Sequence, residues 1–399
     1  MPPKPAARRA VTTTLLVSLS LAALAVPHPA SAATDPWVRT WGTNGYGQLG
    51  NATSATQPTP ADVVGVARTD VRTLSGGGGD ENGFAVALLT DGTLRSWGAN
   101  AQGQLGNGTT TSQAVPTAVA GLSGVSAVDA GSNHVLAVRK GRVYAWGSNA
   151  YGQLGIGSFD ADGKTGPKKT PLPVGLYDVK DVGAGCNFSV ALRNDNTVWT
   201  WGDGSGGRLG IGSTVSRETP QQIEGLTDIA AISVGCSHVL ALTLDNKVKS
   251  WGEGFYGQLG NDTKSNSPTP TDVKRLSDVA TIHAGYGHDF AILEDGTVKG
   301  WGWNKYGQLG DGDVAEHVTP VIIDKLKGTK RIAAGWDFTL AAQPDGSVLT
   351  LGNNDYFQLG DGTSIPTAAR DHTPVRALPN GSGITRVSTT TTGRSAYAY

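Results

Sequence analysis

The sequence predicts an all-β fold, a seven-bladed β-propeller of four-stranded blades, from three observations. A Trp-Gly dipeptide recurs at Trp41, Trp97, Trp146, Trp201, Trp251 and Trp301, spaced 49 to 56 residues apart, with Leu351-Gly352 as a degenerate seventh copy. Six residues after each Trp a second signature, Gly-Gln-Leu-Gly, begins at Gly47, Gly103, Gly152, Gly257 and Gly307. Its variants are Gly207-Arg208-Leu209-Gly210 and Phe357-Gln358-Leu359-Gly360. A third signature precedes the Trp-Gly, as in Ala130-Gly131 and Ala284-Gly285. Three signatures held in one phase at a period near 50 residues mark a supersecondary unit repeated around a ring.

Taken in chain order, residues 1–32 stand apart from the repeat. Lys4, Arg8 and Arg9 lead into an apolar stretch from Val11 to Val26, followed by Ala30-Ser31-Ala32. That order predicts a cleaved secretory signal peptide, by the general or the twin-arginine route, and so an extracellular or cell-envelope location. The stretch is short for a permanent span, which needs ~20 apolar residues. Residues 33–399 then form one propeller domain, with no integral membrane span.

Within each unit the period is that of β structure. In Phe290 to Trp301, two short apolar runs flank Asp295-Gly296, a dipeptide that supplies the positive φ values of a two-residue hairpin. Asp91-Gly92 and Asp345-Gly346 repeat it, with Asp195-Asn196 and Asp245-Asn246 as substitutes. A strand such as 278–284 precedes the hairpin, and a Pro-bounded one such as 270–274 suits a sheet edge because Pro cannot donate to the ladder. Four short strands per unit is propeller arithmetic. The N-terminal piece, 37–50, holds only a unit's final strand and turn, whereas 384–399 holds only its middle strands. The two ends are therefore expected to complete one blade, leaving no open edge.

Composition narrows the function. Charged residues make up 16% of the chain and the formal net charge is −1, which argues against a nucleic-acid partner. Removing residues 1–32 takes away three bases and no acid, leaving −4. There is no metal-ligand His pair, no nucleophile elbow and no phosphate-binding Gly-Lys-Ser/Thr loop; Gly76 to Gly79 lacks the Lys and precedes a strand. Asp160 and Asp162 sit in an inserted loop without the other acidic ligands of a calcium site. No catalytic residue, cofactor or metal is assigned.

The phrase Trp251-Gly252-Glu253-Gly254-Phe255-Tyr256-Gly257-Gln258-Leu259-Gly260-Asn261, with Pro268 after it and Ala284-Gly285 beyond, resembles the regulator of chromosome condensation repeat. The resemblance covers residues 37–399. It implies a seven-bladed propeller that works through protein–protein contacts. The founding member is a nuclear exchange factor for a small GTPase; an export signal and a mildly acidic domain suit that activity poorly.

The repeated letters have structural readings. Each Trp buries on the order of 200 Å² between blades. Leu fills the inter-blade space and Gln bonds backbone. His134, His238 and His288 occupy the position of Phe84, Phe188 and Phe338, so that position is expected to want a flat ring. Cys186 and Cys236 are the same position in adjacent blades. A disulfide stapling the ring and two small buried thiols both remain open, since a bridge needs Cα atoms within about 7 Å.

Function is expected where repeats differ. Strand parity puts the turn after Ala-Gly and the Gly-Gln-Leu-Gly loop on one face, with the Asp-Gly hairpins opposite. On the first face the turn varies: Ser132-Asn133, Cys186-Asn187, Cys236-Ser237, Tyr286-Gly287 and Trp336-Asp337. It expands to Gly76–Gly83, containing Asp80 and Glu81, and changes to Thr389–Arg394. Ring closure makes these two altered turns neighbours. Asp80, Glu81, Asn133, Asn187, Tyr286, Trp336, Asp337 and Arg394 are the candidate protein-binding residues, with Trp336 and Tyr286 as aromatic anchors. The expected function is a secreted, monomeric, non-enzymatic scaffold that binds another protein. The alternative is an inhibitor of an exported enzyme such as a β-lactamase, because exported inhibitors of similar architecture carry aromatics at this turn. Exchange-factor activity and a propeller enzyme stand behind both.

Overall fold

The computed structural model describes residues 37–159, 166–365 and 373–399, which fall within one compact unit, Thr34–Tyr399. The expected signal segment, Asp160 and Asp162 lie outside the described residues. The architecture is an all-β propeller of four-stranded antiparallel blades around a central channel. In one blade the strands Val279–Ala284, His288–Leu293, Val298–Gly302 and His317–Ile322 lie side by side from axis to rim. The Pro-bearing strand is thus the outermost one. It pairs back onto the strand before it, Lys299 opposite Ile322, so the blade is offset from the sequence unit.

Among the described residues five such sheets are separate, and a sixth sheet has eight strands. Its order is Gln57–Ala67, Trp37–Gly42, Ser395–Ala398, Val387–Thr392, Val71–Gly79, Phe84–Leu89, Leu94–Gly98 and Gln113–Ala118. The N-terminal strand pairs antiparallel with the C-terminal one, Arg39 opposite Ala398 and Gly42 opposite Ser395. The ends of the chain therefore share a sheet, and neither is left as an open edge. The junction between Val387–Thr392 and Val71–Gly79 is parallel, whereas the pairings on either side of it are antiparallel.

The signature residues tie each blade to the next. All six Trp rings are fully buried, and each indole nitrogen donates to the carbonyl of the preceding signature, as Trp97 Nε1 to Gln48 O at 2.8 Å and Trp251 Nε1 to Arg208 O at 3.2 Å. The series wraps around, because Trp41 Nε1 donates to Gln358 O at 2.9 Å. The last signature glycine has to be glycine: at Gly50, φ is +67° and a Cβ would lie 2.8 Å from Trp97 Nε1. The Gln side chain closes its own turn, with Gln258 Oε1 accepting from Tyr256 N at 2.9 Å. The signature Leu side chains, from Leu49 to Leu359, are buried in the seams.

The expectation for the His/Phe position needs correcting: a flat ring is only half of the requirement. Where the ring is His, the next blade offers a polar partner. His134 Nε2 meets Ser189 Oγ at 3.0 Å, His238 Nε2 meets Asp289 at 2.8 Å, and His288 Nε2 meets Thr339 Oγ1 at 2.9 Å. Where the ring is Phe, the next blade offers an apolar one: Phe84 shares a cluster with Val135, and Phe188 with Val239. Burial holds His134 and His288 neutral, each down to about 3, and pushes the Asp289 carboxyl up against the attraction of His238.

Candidate functional site: an aromatic loop face

The innermost strand of each blade ends in the turn after Ala-Gly, and the third strand ends in the loop after Trp-Gly. Strand alternation brings both to the same end of the ring, where the varying residues meet. Tyr286 belongs to the first kind of turn and Trp303 to the second, and their ring centroids are 6.3 Å apart. Trp303 stacks on Tyr256 at 5.1 Å and meets the edge of Tyr306 at 5.8 Å. Tyr286 in turn meets Trp336 edge-on at 6.0 Å. The Arg394 guanidinium then lies over Trp336 at 4.2 Å and over Tyr356 at 4.5 Å. These contacts form one arc across successive blades, its rings meeting directly from Tyr256 to Trp336 and through Arg394 at Tyr356, its most exposed member at 45%.

Two arginine clusters frame the arc. Arg394 pairs with Asp80, and its Nη2 lies 3.2 Å from Asp337 Oδ2. Arg208, which replaces the signature Gln, donates to Asp203 Oδ2 at 2.9 Å and Glu253 Oε1 at 2.7 Å. Each arginine faces two carboxylates, so each cluster keeps a surplus negative charge.

The structure brings together most of the expected site. Asp80 and Arg394 join the two altered turns, as expected once the ring closes: the Arg394 backbone N–H also donates to Asp80 Oδ1 at 3.1 Å. Glu81 is exposed beside them. Asn133 accepts from Asn82 Nδ2 at 2.8 Å, so it braces the expanded turn, and Asn187 is half-buried. Asp337 is a correction. It was expected on the surface but is only 1% exposed, because its carboxylate is used internally by Arg394, by Asn353 Nδ2 at 2.9 Å and by Gln358 Nε2 at 3.3 Å. Burial raises its carboxyl against the pull of Arg394. Sequence reasoning missed Tyr256, Trp303, Tyr306 and Tyr356. The Tyr before the Gly-Gln-Leu-Gly signature recurs at Tyr46, Tyr151, Tyr256, Tyr306 and Tyr356, and a recurring letter carries no sign of which copies meet other rings. The available signal was Trp303, the one Trp at its repeat position.

Cys186 and Cys236 are joined as a disulfide, with Cα atoms 4.6 Å apart. Inner-strand turns converge on the axis, which brings equivalent positions of neighbouring blades this close: Cys186 N–H donates to Cys236 O at 2.9 Å, and Tyr286 N–H to Gly335 O at 3.1 Å. The bridge occupies the turn position held by Tyr286 and Trp336 in later blades.

Two other polar groupings were weighed as chemistry. The axial channel has a volume of about 310 Å³ and is lined by Ser75, Asp129, Ser233, His283 and Ser388 among others. Asp129 accepts from Ser75 Oγ at 2.6 Å and from Ala184 N at 2.8 Å, so its carboxylate stitches neighbouring strands together. Burial pushes Asp181 up to about 6, assisted by the charge of Asp129, and lowers His283 to about 4. On the rim, His317 Nε2 lies 2.5 Å from Asp311 Oδ2, with Asp313 nearby. These three have the donor types of a cation site, but Asp311 already serves His317 and Asn304 Nδ2, and Asp313 is exposed. Among the described residues no helix is long and apolar enough to cross a membrane.

Fold and loop face together define a β-propeller that presents a variable surface on a uniform frame. A family model described as an RCC1-like domain matches residues 160–398, and two models of the regulator of chromosome condensation (RCC1) repeat match residues 91–138 and 125–153. The chain belongs to this RCC1 repeat family. It is 32% identical to the human E3 ubiquitin-protein ligase HERC2 over 148 residues, which is 36% of this chain and 3% of that protein. It is 28% identical to the Arabidopsis thaliana ultraviolet-B receptor UVR8 over 145 residues, 35% of this chain and 32% of that one. The matched stretches are thus less than a third of the length of these relatives. Among solved structures, Prp20p of Saccharomyces cerevisiae superimposes with a TM-score of 0.77 at 21% identity, covering 92% of this chain and 91% of that one. Human WBSCR16 does so with 0.77 at 20% identity, covering 91% and 98%.

Proposed function

We propose that this chain is an exported, non-enzymatic propeller that binds another protein through its aromatic loop face. The seven-blade reading is supported by the parallel junction in the eight-stranded sheet: divided there, that sheet gives two blades of four beside the five separate ones. Export rests on the order of charged, apolar and small residues in 1–32, and the Cys186–Cys236 bridge suits an oxidising compartment. The observation that carries the binding role is the arc from Tyr256 through Trp303, Tyr286 and Trp336 to Tyr356. Tyr356 is exposed and the other four rings are half-buried; Tyr and Trp clustered in a central patch are the residue types that dominate binding energy. Protein partners of a structural neighbour agree with this role: yeast Prp20p is described bound to Kap60.

The test is affinity capture from the exterior of the producing cell, comparing wild type with a Tyr286→Ala, Trp303→Ala, Trp336→Ala triple variant of unchanged circular dichroism. A partner captured by the wild type and lost by the variant supports the reading. Equal recovery by both removes the loop face as the binding surface. Titrating purified protein against exported β-lactamases in the same series tells an inhibitor from a scaffold.

A further inference from the structure

We propose that the arc recognises its protein partner through a lysine or arginine side chain, which it receives over the rings of Trp303 and Tyr286. This rests on the binding role assigned above and names the chemistry of that contact. The first observation is internal. At one end of the arc the protein already seats a guanidinium of its own, Arg394, over Trp336 at 4.2 Å and Tyr356 at 4.5 Å. Lys305 lies 5.5 Å from the Tyr306 ring. Among the described residues, no cation is found over Tyr286 or Trp303 in the middle of the arc, or over Tyr256 at its other end.

The second observation is charge. Arg208 is shared by Asp203 and Glu253, and Arg394 by Asp80 and Asp337, so each end of the arc carries one more carboxylate than arginine. Burial, then Tyr256 and Glu253, push the Tyr286 hydroxyl up against the pull of Arg208, which places the Arg208 cluster beside these rings. Exposed Asp355 and Glu81 lie on the same side. A ring face with negative charge at its margins attracts a cation by its quadrupole and by Coulomb's law together. An acidic contact would meet repulsion at both ends. A neutral apolar contact would gain from the rings alone.

The experiment uses the purified chain and two small probes, N-acetyl-arginine amide and N-acetyl-citrulline amide, which share shape but differ in charge. Binding is followed by the indole N–H signals of Trp303 and Trp336 in nuclear magnetic resonance, assigned with Trp303→Phe and Trp336→Phe. The arginine probe is expected to shift the Trp303 signal saturably, with the citrulline probe about tenfold weaker and the shift diminished by added salt. Equal binding of the two probes, or no saturable shift with arginine, overturns the proposal. Because no partner is used, this result is independent of capture: a partner lost by the triple variant alongside a silent arginine titration would leave the binding face standing and remove the cation.

Discussion

The two ends of the ring are built from the same repeat and behave differently. At the hairpin end the Asp side chains bond within their own turns, and the contact with the next blade is a repeated backbone bond, such as Val279 N–H to Asn246 O at 3.0 Å. Asp295 accepts from Thr297 N at 2.8 Å, and Asp91, Asp195 and Asp345 do the same two residues on. Those local bonds hold the four carboxyls below their ordinary value. At the loop end the polar and aromatic groups reach across blades: Arg394 to Asp80, Arg208 to Glu253, Cys186 to Cys236, Tyr286 to Trp336. A turn whose side chains bond locally, and which meets its neighbour through backbone alone, can be copied from blade to blade. A turn that leans on its neighbour has to be chosen with it, and its identity varies around the ring. Variation therefore marks the end at which the molecule is individual.

Four sets of substitutions test how far this contrast holds. The largest effect belongs to His238→Phe. The shape is tolerated, since Phe188 fills that position in the preceding blade, but Asp289 loses its side-chain partner in a fully buried site and keeps only the Gly285 N–H. Urea unfolding should show a loss of about 3–5 kcal/mol. Adding Asp289→Val recreates the Phe188–Val239 pairing and should restore most of it. Failure of that second change to help would show that the ring and its partner are not coupled across the seam.

Next is removal of the bridge by Cys186→Ser with Cys236→Ser. The bridge spans 50 residues, and its loss should cost about 2–4 kcal/mol in the same assay. An unchanged midpoint would mean that the loop end gains nothing from its covalent tie.

Asp181→Asn should act in the opposite direction. Its carboxyl is raised to about 6, so the folded chain holds a proton that the unfolded chain releases above the ordinary value of 3.8. The stability this confers is complete below 3.8 and is lost as pH rises through 6. At pH 7 the charged group is a burden, and the variant should gain ~1–2 kcal/mol, a benefit that disappears near pH 4. Thermal melts of both proteins across that range measure it.

The smallest effect is expected at the hairpin end. Asp295→Ala removes one exposed turn bond, and its carboxyl is lowered by the backbone and side chain of Thr297. The stability it contributes is present above pH 3.8 and is lost as pH falls through the depressed value, so wild type and variant should melt together in acid. A loss at neutral pH as large as that of His238→Phe would contradict the contrast between the two ends.

Much of the frame was legible because it repeats. The Trp-Gly, Gly-Gln-Leu-Gly and Asp-Gly letters recur in fixed phase because every blade meets a neighbour of the same kind. The rim strand was legible from Pro268 and Pro270, and the joining of the two ends from the half-units at 37–50 and 384–399. The candidate site was legible only where a residue broke the pattern. Arg394, Asp80, Tyr286 and Trp336 stood out because other blades differ there. Tyr256 and Tyr306 did not, because their letter recurs and nothing local distinguishes a Tyr beside Trp303 from one beside Thr43.

The sequence alone determined the class of fold, the sites of the turns and the end of the ring at which the chain varies, since all three depend on local conformation and on period. Tertiary structure decided which varying residues are surface and which are struts. Asp337 was turned inward by Asn353, Gln358 and Arg394, residues 16 or more positions away in the chain. It decided the bond between Cys186 and Cys236, because only the convergence of inner strands at the axis brings equivalent positions to 4.6 Å. It also decided that His or Phe is chosen by the facing residue of the next blade. The physical reason is the same in each case: the energy lies in contacts between blades, and a linear repeat does not show which atoms face each other across a seam.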